Sequence, residues 1–116
     1  MERLIVQWSV TIFGHSIRAT LEILDEGLNV TLFGGCQSHI GCVTVAEPDG
    51  TVRSIAPPGH KEQVVCEKWA PLLAGASGRR CAMTCGVHYD DLTPAELPQV
   101  LVAIDELFLQ VRTQIE

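Results

Sequence analysis

The chain has 116 residues, a length that fits one domain, residues 1–116, and leaves no room for a second core. Its 14 acidic and 8 basic side chains give a formal net charge of −6, and Arg79–Arg80 is the nearest approach to a basic cluster. That balance argues against a nucleic-acid partner and against adsorption to an anionic membrane, and no apolar run approaches the ~18 residues that a bilayer crossing needs.

Hydrophobic residues make up 47% of the chain and charged residues 19%. So small a domain must cover a large surface, and an apolar surplus of this size implies a homo-oligomer that uses it at interfaces. The first residues, Met1 to Ser9, interleave charge and polarity, unlike a signal peptide, and the expected location is cytoplasmic. Five cysteines, an odd number without an export signal, read as reduced thiols or metal ligands in preference to a disulfide framework.

The first half of the chain reads as β. Leu4 to Ile12 is rich in β-branched and aromatic residues and ends at Phe13-Gly14. From His15 to Asp25, Ile17, Ala19, Leu21 and Ile23 alternate with Ser16, Arg18, Thr20 and Glu22, the period of a half-buried strand. Glu26-Gly27 turns the chain into a third strand, Leu28 to Phe33; Gly41 to Glu47 is a fourth. Pro48-Asp49-Gly50 makes a hairpin turn before the fifth, Thr51 to Ala56.

Beyond Pro57-Pro58-Gly59 the period lengthens. Val64, Val65, Trp69, Leu72 and Leu73 share one side of a helix from about His60 to Ala74, which Pro71 should kink or restart. Gly75 to Gly78 reads as a loop. Arg80 to Val87 is a sixth strand whose small side chains suit a central place in a sheet. Thr93-Pro94-Ala95-Glu96 is a capping box with proline at the first helical position. Leu97, Leu101, Ile104, Leu107, Phe108 and Val111 then form the apolar stripe of a last helix. The expectation is a single α+β domain of order β-β-β-β-β-α-β-α: a largely antiparallel β-meander sheet of about six strands, with two helices packed on one face.

Three junctions combine glycine with histidine and a polar or acidic group. Gly34, Gly35, Ser38, His39 and Gly41 form the first, where glycines permit close approach of a ligand to the backbone. Gly59, His60 and Glu62 form the second, at a helix start that favours an anion. His88 and Asp90, after Gly86, form the third. Taken singly, each reads as a turn with a solvated histidine, but three of the four histidines lie at such junctions. His15 lacks that company and reads as structural.

Cys36-x2-His39-x2-Cys42 and Cys81-x3-Cys85-x2-His88 have zinc-like spacing, yet Cys42, Cys81 and Cys85 fall on predicted strands, where plain packing is the simpler reading. Ser38-His39 and Cys85 near His88 are the nearest approaches to a nucleophile and base, and adjacency alone establishes no catalytic geometry. No residue is assigned as catalytic or as a metal ligand.

The three junctions, in this order and on this strand and helix pattern, resemble the LpdD-like prenylated-flavin chaperone family, the small D-type subunit of gallate- and vanillate-type decarboxylases. The segments that carry the likeness are Gly34-Gly35 through His39-Ile40-Gly41, Gly59-His60-Lys61-Glu62, and Gly86-Val87-His88-Tyr89-Asp90-Asp91-Leu92-Thr93. The resemblance implies a non-enzymatic, cofactor-binding accessory protein. It would bind prenylated FMN, or FMN itself, and assist the large subunit of a UbiD-type (de)carboxylase. On that reading the first turn and the helix start accept the flavin phosphate, His39, His60 and His88 bond phosphate or ring heteroatoms, and Arg79 or Arg80 adds charge. Two alternatives stand beside it: a small metal-dependent enzyme built on His39, His60 and His88, with zinc as the lesser possibility, and a structural decarboxylase subunit.

Overall fold

The computed structural model of the chain describes residues 4–58 and 61–116. Its elements are β1 (Leu4–Ile12), β2 (His15–Leu24), β3 (Gly27–Gly35), β4 (Cys42–Ala46), β5 (Val52–Ile55), α1 (Glu62–Ser77), β6 (Cys81–His88) and α2 (Leu97–Ile115). This is the α+β order that the periodicity implies. The strands form one six-stranded sheet in the order β1-β2-β3-β6-β4-β5.

The meander is continuous only through β1, β2 and β3, which are paired antiparallel, and resumes in the β4–β5 hairpin. Between the two blocks lies β6, parallel to β3 and antiparallel to β4. Sequence periodicity marks strands but not their neighbours. Here α1 carries the chain back over the sheet and inserts β6 into the gap, the kind of crossover a parallel pair requires. The central position expected for β6 is what the sheet order shows.

Alternation along each strand sends one set of side chains to a single face. Ile17, Ala19 and Leu21 of β2, Leu28, Val30 and Leu32 of β3, Cys42 and Ala46 of β4, and Cys81, Met83 and Cys85 of β6 are all buried. Both helices cover that face: they bury Trp69, Ala70, Leu73, Leu107, Phe108 and Val111 in the same core. Trp69 and Phe108 join the two helices directly, with ring centroids 5.3 Å apart.

The helices depart from their sequence reading in detail. The buried stripe of α1 is Cys66, Trp69, Ala70, Leu73 and Ala74, whereas Val64 and Leu72 face solvent. In α2 it is Val100 and not Leu101 that turns inward. Each true stripe keeps the i, i+3, i+4 spacing, but it admits Cys and Ala, which weigh little in a pattern drawn from large apolar residues. Helix α1 runs unbroken through Pro71 and Gly75 to Ser77, and ends where Gly78 adopts φ +69° and bonds its N–H to the Ala74 carbonyl. Burial on both sides of Pro71 outweighs the single hydrogen bond it removes. The Thr93 capping box closes reciprocally: Glu96 N donates to Thr93 Oγ1 at 3.2 Å and Thr93 N to Glu96 Oε1 at 2.9 Å. With Pro94 and Pro98 in this stretch, the regular helix begins only at Leu97.

Candidate functional site

The register of β3 and β6 sets the geometry. Gly35 lies opposite His88, so the parallel pair delivers both carboxyl-terminal ends to one edge of the molecule. The β1–β2 turn reaches the same edge, since Ile12 pairs with His15 and Ile17 pairs with Gly34. The start of α1 is there too: Glu62 touches His39. Two of the three glycine–histidine junctions therefore meet at one end of the sheet. Gly59 and His60 lie outside the described residues, and only Glu62 represents the second junction.

Segment 36–41 is tied down at both ends. Cys36 N donates to the His88 carbonyl at 2.6 Å, and Gly41 N donates to the Cys85 carbonyl at 2.9 Å. Between these anchors the chain lies directly on Gly86, where a Cβ would fall 1.4 Å from the His39 carbonyl oxygen. Gly34 and Gly35 are used the same way: a Cβ would stand 2.2 Å from the Ser16 carbonyl and 2.0 Å from the His88 carbonyl. A side chain on Gly41 would meet Glu62. The space freed by these glycines is filled by the protein's own backbone and by Glu62. They serve to bring the histidine segments together.

The product is a compact polar cluster. His39 Nε2 lies 2.9 Å from Glu62 Oε1, with side chains 28% and 12% exposed. His88 Nε2 lies 2.8 Å from Asp90 Oδ1, with side chains 48% and 68% exposed. The two imidazoles meet edge to face, their centroids 6.4 Å apart and their planes at 79°. Each histidine is thus held by its own carboxylate, while part of each ring still faces solvent. Ser38 is exposed on the same segment, and Lys61 is exposed at the start of α1, which has no side-chain cap. With Nε2 of each ring turned to a carboxylate, the arrangement presents imidazole rings, carboxylate oxygens and the exposed Lys61 at the start of α1.

Next to the cluster, Tyr89 is 9% exposed and spans from β6 to the β1–β2 turn. Its hydroxyl donates to the carbonyls of Ile12 at 3.0 Å and His15 at 3.1 Å. Its ring meets Phe13 at 6.4 Å and His15 at 6.0 Å, both edge to face. No sequence pattern pointed to this anchor, although the two-residue turn at Phe13-Gly14 marks the hairpin it pins.

One sequence-based expectation changes. Arg79 and Arg80 lie at the far end of β6, where Cys81 pairs with Leu28 and Ala46. Seven residue steps of ~3.3 Å separate Cys81 from His88, about 23 Å. There Arg79 Nη1 donates to the Leu24 carbonyl at 2.8 Å and Arg80 pairs with Glu47, so neither adds charge to the histidine cluster. The zinc-like spacings do not converge either. Cys36 is exposed whereas Cys42, Cys81 and Cys85 are buried, and the described residues contain no group of three or more potential ligands with metal-binding geometry. Cysteines 42, 66 and 85 pack together in the core: hydrogen bonding with Cys66 and burial push the Cys85 thiol up.

A sequence-family profile described as the prenylated flavin chaperone LpdD-like domain matches residues 11–116. The chain belongs to that family. The LpdD-like domain is 24% identical over 103 residues to Protein LpdD of Lactiplantibacillus plantarum, covering 84% of this chain and 76% of that protein. Its fold is similar to that of a solved chain from a chaperone complex for yeast 20S proteasome assembly, with a TM-score of 0.59, 16% identity and full coverage of both chains. At that identity the likeness describes the fold alone. Among the described residues no helix of the LpdD-like domain is long and apolar enough to cross a membrane.

Proposed function

We propose that this LpdD-like domain is a non-catalytic carrier that binds prenylated FMN and assists a UbiD-type aromatic acid (de)carboxylase. The observation that supports it best is the meeting of His39–Glu62 and His88–Asp90 in one partly exposed cluster. The edge of an isoalloxazine ring alternates carbonyl and nitrogen acceptors with one N–H donor. A carboxylate oxygen of the cluster suits that donor, while each imidazole turns Nε2 to its own carboxylate and contributes its ring face and edge. The uncapped start of α1 and exposed Lys61 suit the phosphate, while Ile40, 68% exposed beside His39, suits the apolar carbons that prenylation adds. Gly34, Gly35, Ser38 and Gly41 contribute by shaping the segment that carries His39, and Gly59 and His60 complete the set. The flavin is cargo here, and no residue of the domain acts on it chemically.

In this reading the domain works as a homo-oligomer in the cytoplasm and hands its cargo to the large decarboxylase subunit. Titration of the purified protein with FMN and with prenylated FMN, followed by flavin fluorescence, is the test. Saturable binding is expected, weakened about tenfold or more in His88→Ala and Glu62→Gln. No saturation with either flavin would overturn the carrier reading. Stoichiometric metal in that same flavin-free protein would favour the metal-enzyme alternative.

A further inference from the structure

The turn between β1 and β2 carries an unusual residue. Phe13 and Gly14 are its two central residues, with φ +52° and +77°. Such a turn needs the left-handed region at both positions, which is why Asn-Gly and Asp-Gly dominate it. A bulky aromatic at the first position is an outlier that costs stability. Burial of the ring does not offset this cost fully, since Phe13 is 40% exposed. The tip of a hairpin is also where polar residues are the rule.

The ring is nonetheless held in place. It meets Tyr89 edge to face at 85°, and the Tyr89 hydroxyl is fixed by the carbonyls on either side of the turn. Tyr89 directly follows His88, whose ring meets His39. Phe13 therefore shares the sheet edge that carries the histidine cluster and is linked to it through Tyr89, with part of its own surface exposed. Strained backbone that supports an exposed aromatic ring at the same sheet edge as a polar cluster is a pattern expected of a ligand contact.

We propose that Phe13 is a stacking residue of the flavin site, giving the domain its preference for a planar aromatic ring. The inference rests on the carrier reading above. Phe13→Asn separates ligand contact from structure, because it installs the preferred Asn-Gly turn while removing the ring. Its melting temperature is expected to equal or exceed that of the unmodified protein. Its affinity for FMN or prenylated FMN is expected to fall about tenfold, equivalent to about 1.4 kcal/mol. Affinity is expected to fall in Phe13→Leu as well, since leucine is apolar but has no planar ring to stack. Phe13→Trp should keep the affinity and, because a stacked indole quenches flavin emission by electron transfer, should dim the bound flavin relative to the unmodified protein.

Unchanged affinity in Phe13→Asn and undimmed flavin in Phe13→Trp, with flavin still bound by the unmodified protein, overturn the Phe13 inference and leave the carrier reading standing. A lowered melting temperature with unchanged affinity assigns the ring a purely structural role and overturns it as well. If the unmodified protein binds neither flavin, the carrier reading and the Phe13 inference fall together.

Discussion

Tyr89, which ties β6 to the β1–β2 turn, is more buried than the two histidines of the cluster. Tyr89 has a hydroxyl shared between two carbonyls and a ring enclosed by Phe13 and His15. Tyr89→Phe leaves those carbonyls without their donor at almost unchanged volume. A loss of about 1–2 kcal/mol is expected, read as a lower urea midpoint at unchanged slope. Cysteine chemistry offers a second check at this scale. Cys36 is exposed and the other four thiols are buried, so native protein should titrate one thiol rapidly and expose the rest only in denaturant. Burial, helped by Cys66, pushes the Cys81 thiol up to about 12 from 9.0. Between those values the folded chain keeps a proton that the unfolded chain releases. The stabilisation is fully present below pH 9.0 and is lost as pH rises toward 12, by up to ~1.4 kcal/mol per pH unit. In Cys81→Ala the urea midpoint should fall less steeply on the alkaline side.

At the scale of elements, two junctions decide whether the site exists. Segment 36–41 can lie on β6 only because position 86 has no side chain. Gly86→Ala forces the His39 backbone away, at a cost on the order of 3 kcal/mol, and His39 should lose its place beside Glu62. Thermal unfolding and flavin titration should both register the change. The entry to α2 depends on Thr93, which bonds Glu96 in both directions. Thr93→Ala is expected to cost about 1 kcal/mol and lower the melting temperature by several degrees, with flavin affinity unchanged. Neither N-cap residue, Lys61 of α1 or Glu96 of α2, caps its helix with a side-chain hydrogen bond; the Thr93–Glu96 box closes the turn just ahead of α2.

Over the whole molecule, a single face of the sheet carries the core, and α1 and α2 meet on it through Trp69 and Phe108. Phe108→Ala should destabilise by about 3–5 kcal/mol and red-shift the emission of Trp69, which is fully buried. A loss of that size would leave little net stability in a domain this small.

Most of the fold was legible in the chain. Alternation at Ile17, Ala19 and Leu21, the turns at Gly27 and Gly50, and the Thr93 capping box depend on neighbours close in sequence, and these local signals determined the six strands, the two helices and their order. The same reasoning singled out His39, Glu62, His88 and Asp90, because glycine beside histidine at an element end is itself a local pattern. Three matters were left to tertiary structure. One was the insertion of β6 between β3 and β4, since strand alternation is blind to which strand becomes a neighbour. Another was the helix faces, where Cys66, Ala70 and Ala74 turn inward and Val64, Leu72 and Leu101 do not. The last was what each polar group touches: Arg79 and Arg80 sit at the far end of β6, and the Tyr89 hydroxyl reaches across 77 positions of sequence to the Ile12 carbonyl. Sequence periodicity records which side of an element is buried, whereas these contacts depend on distances set only when the sheet closes around β6.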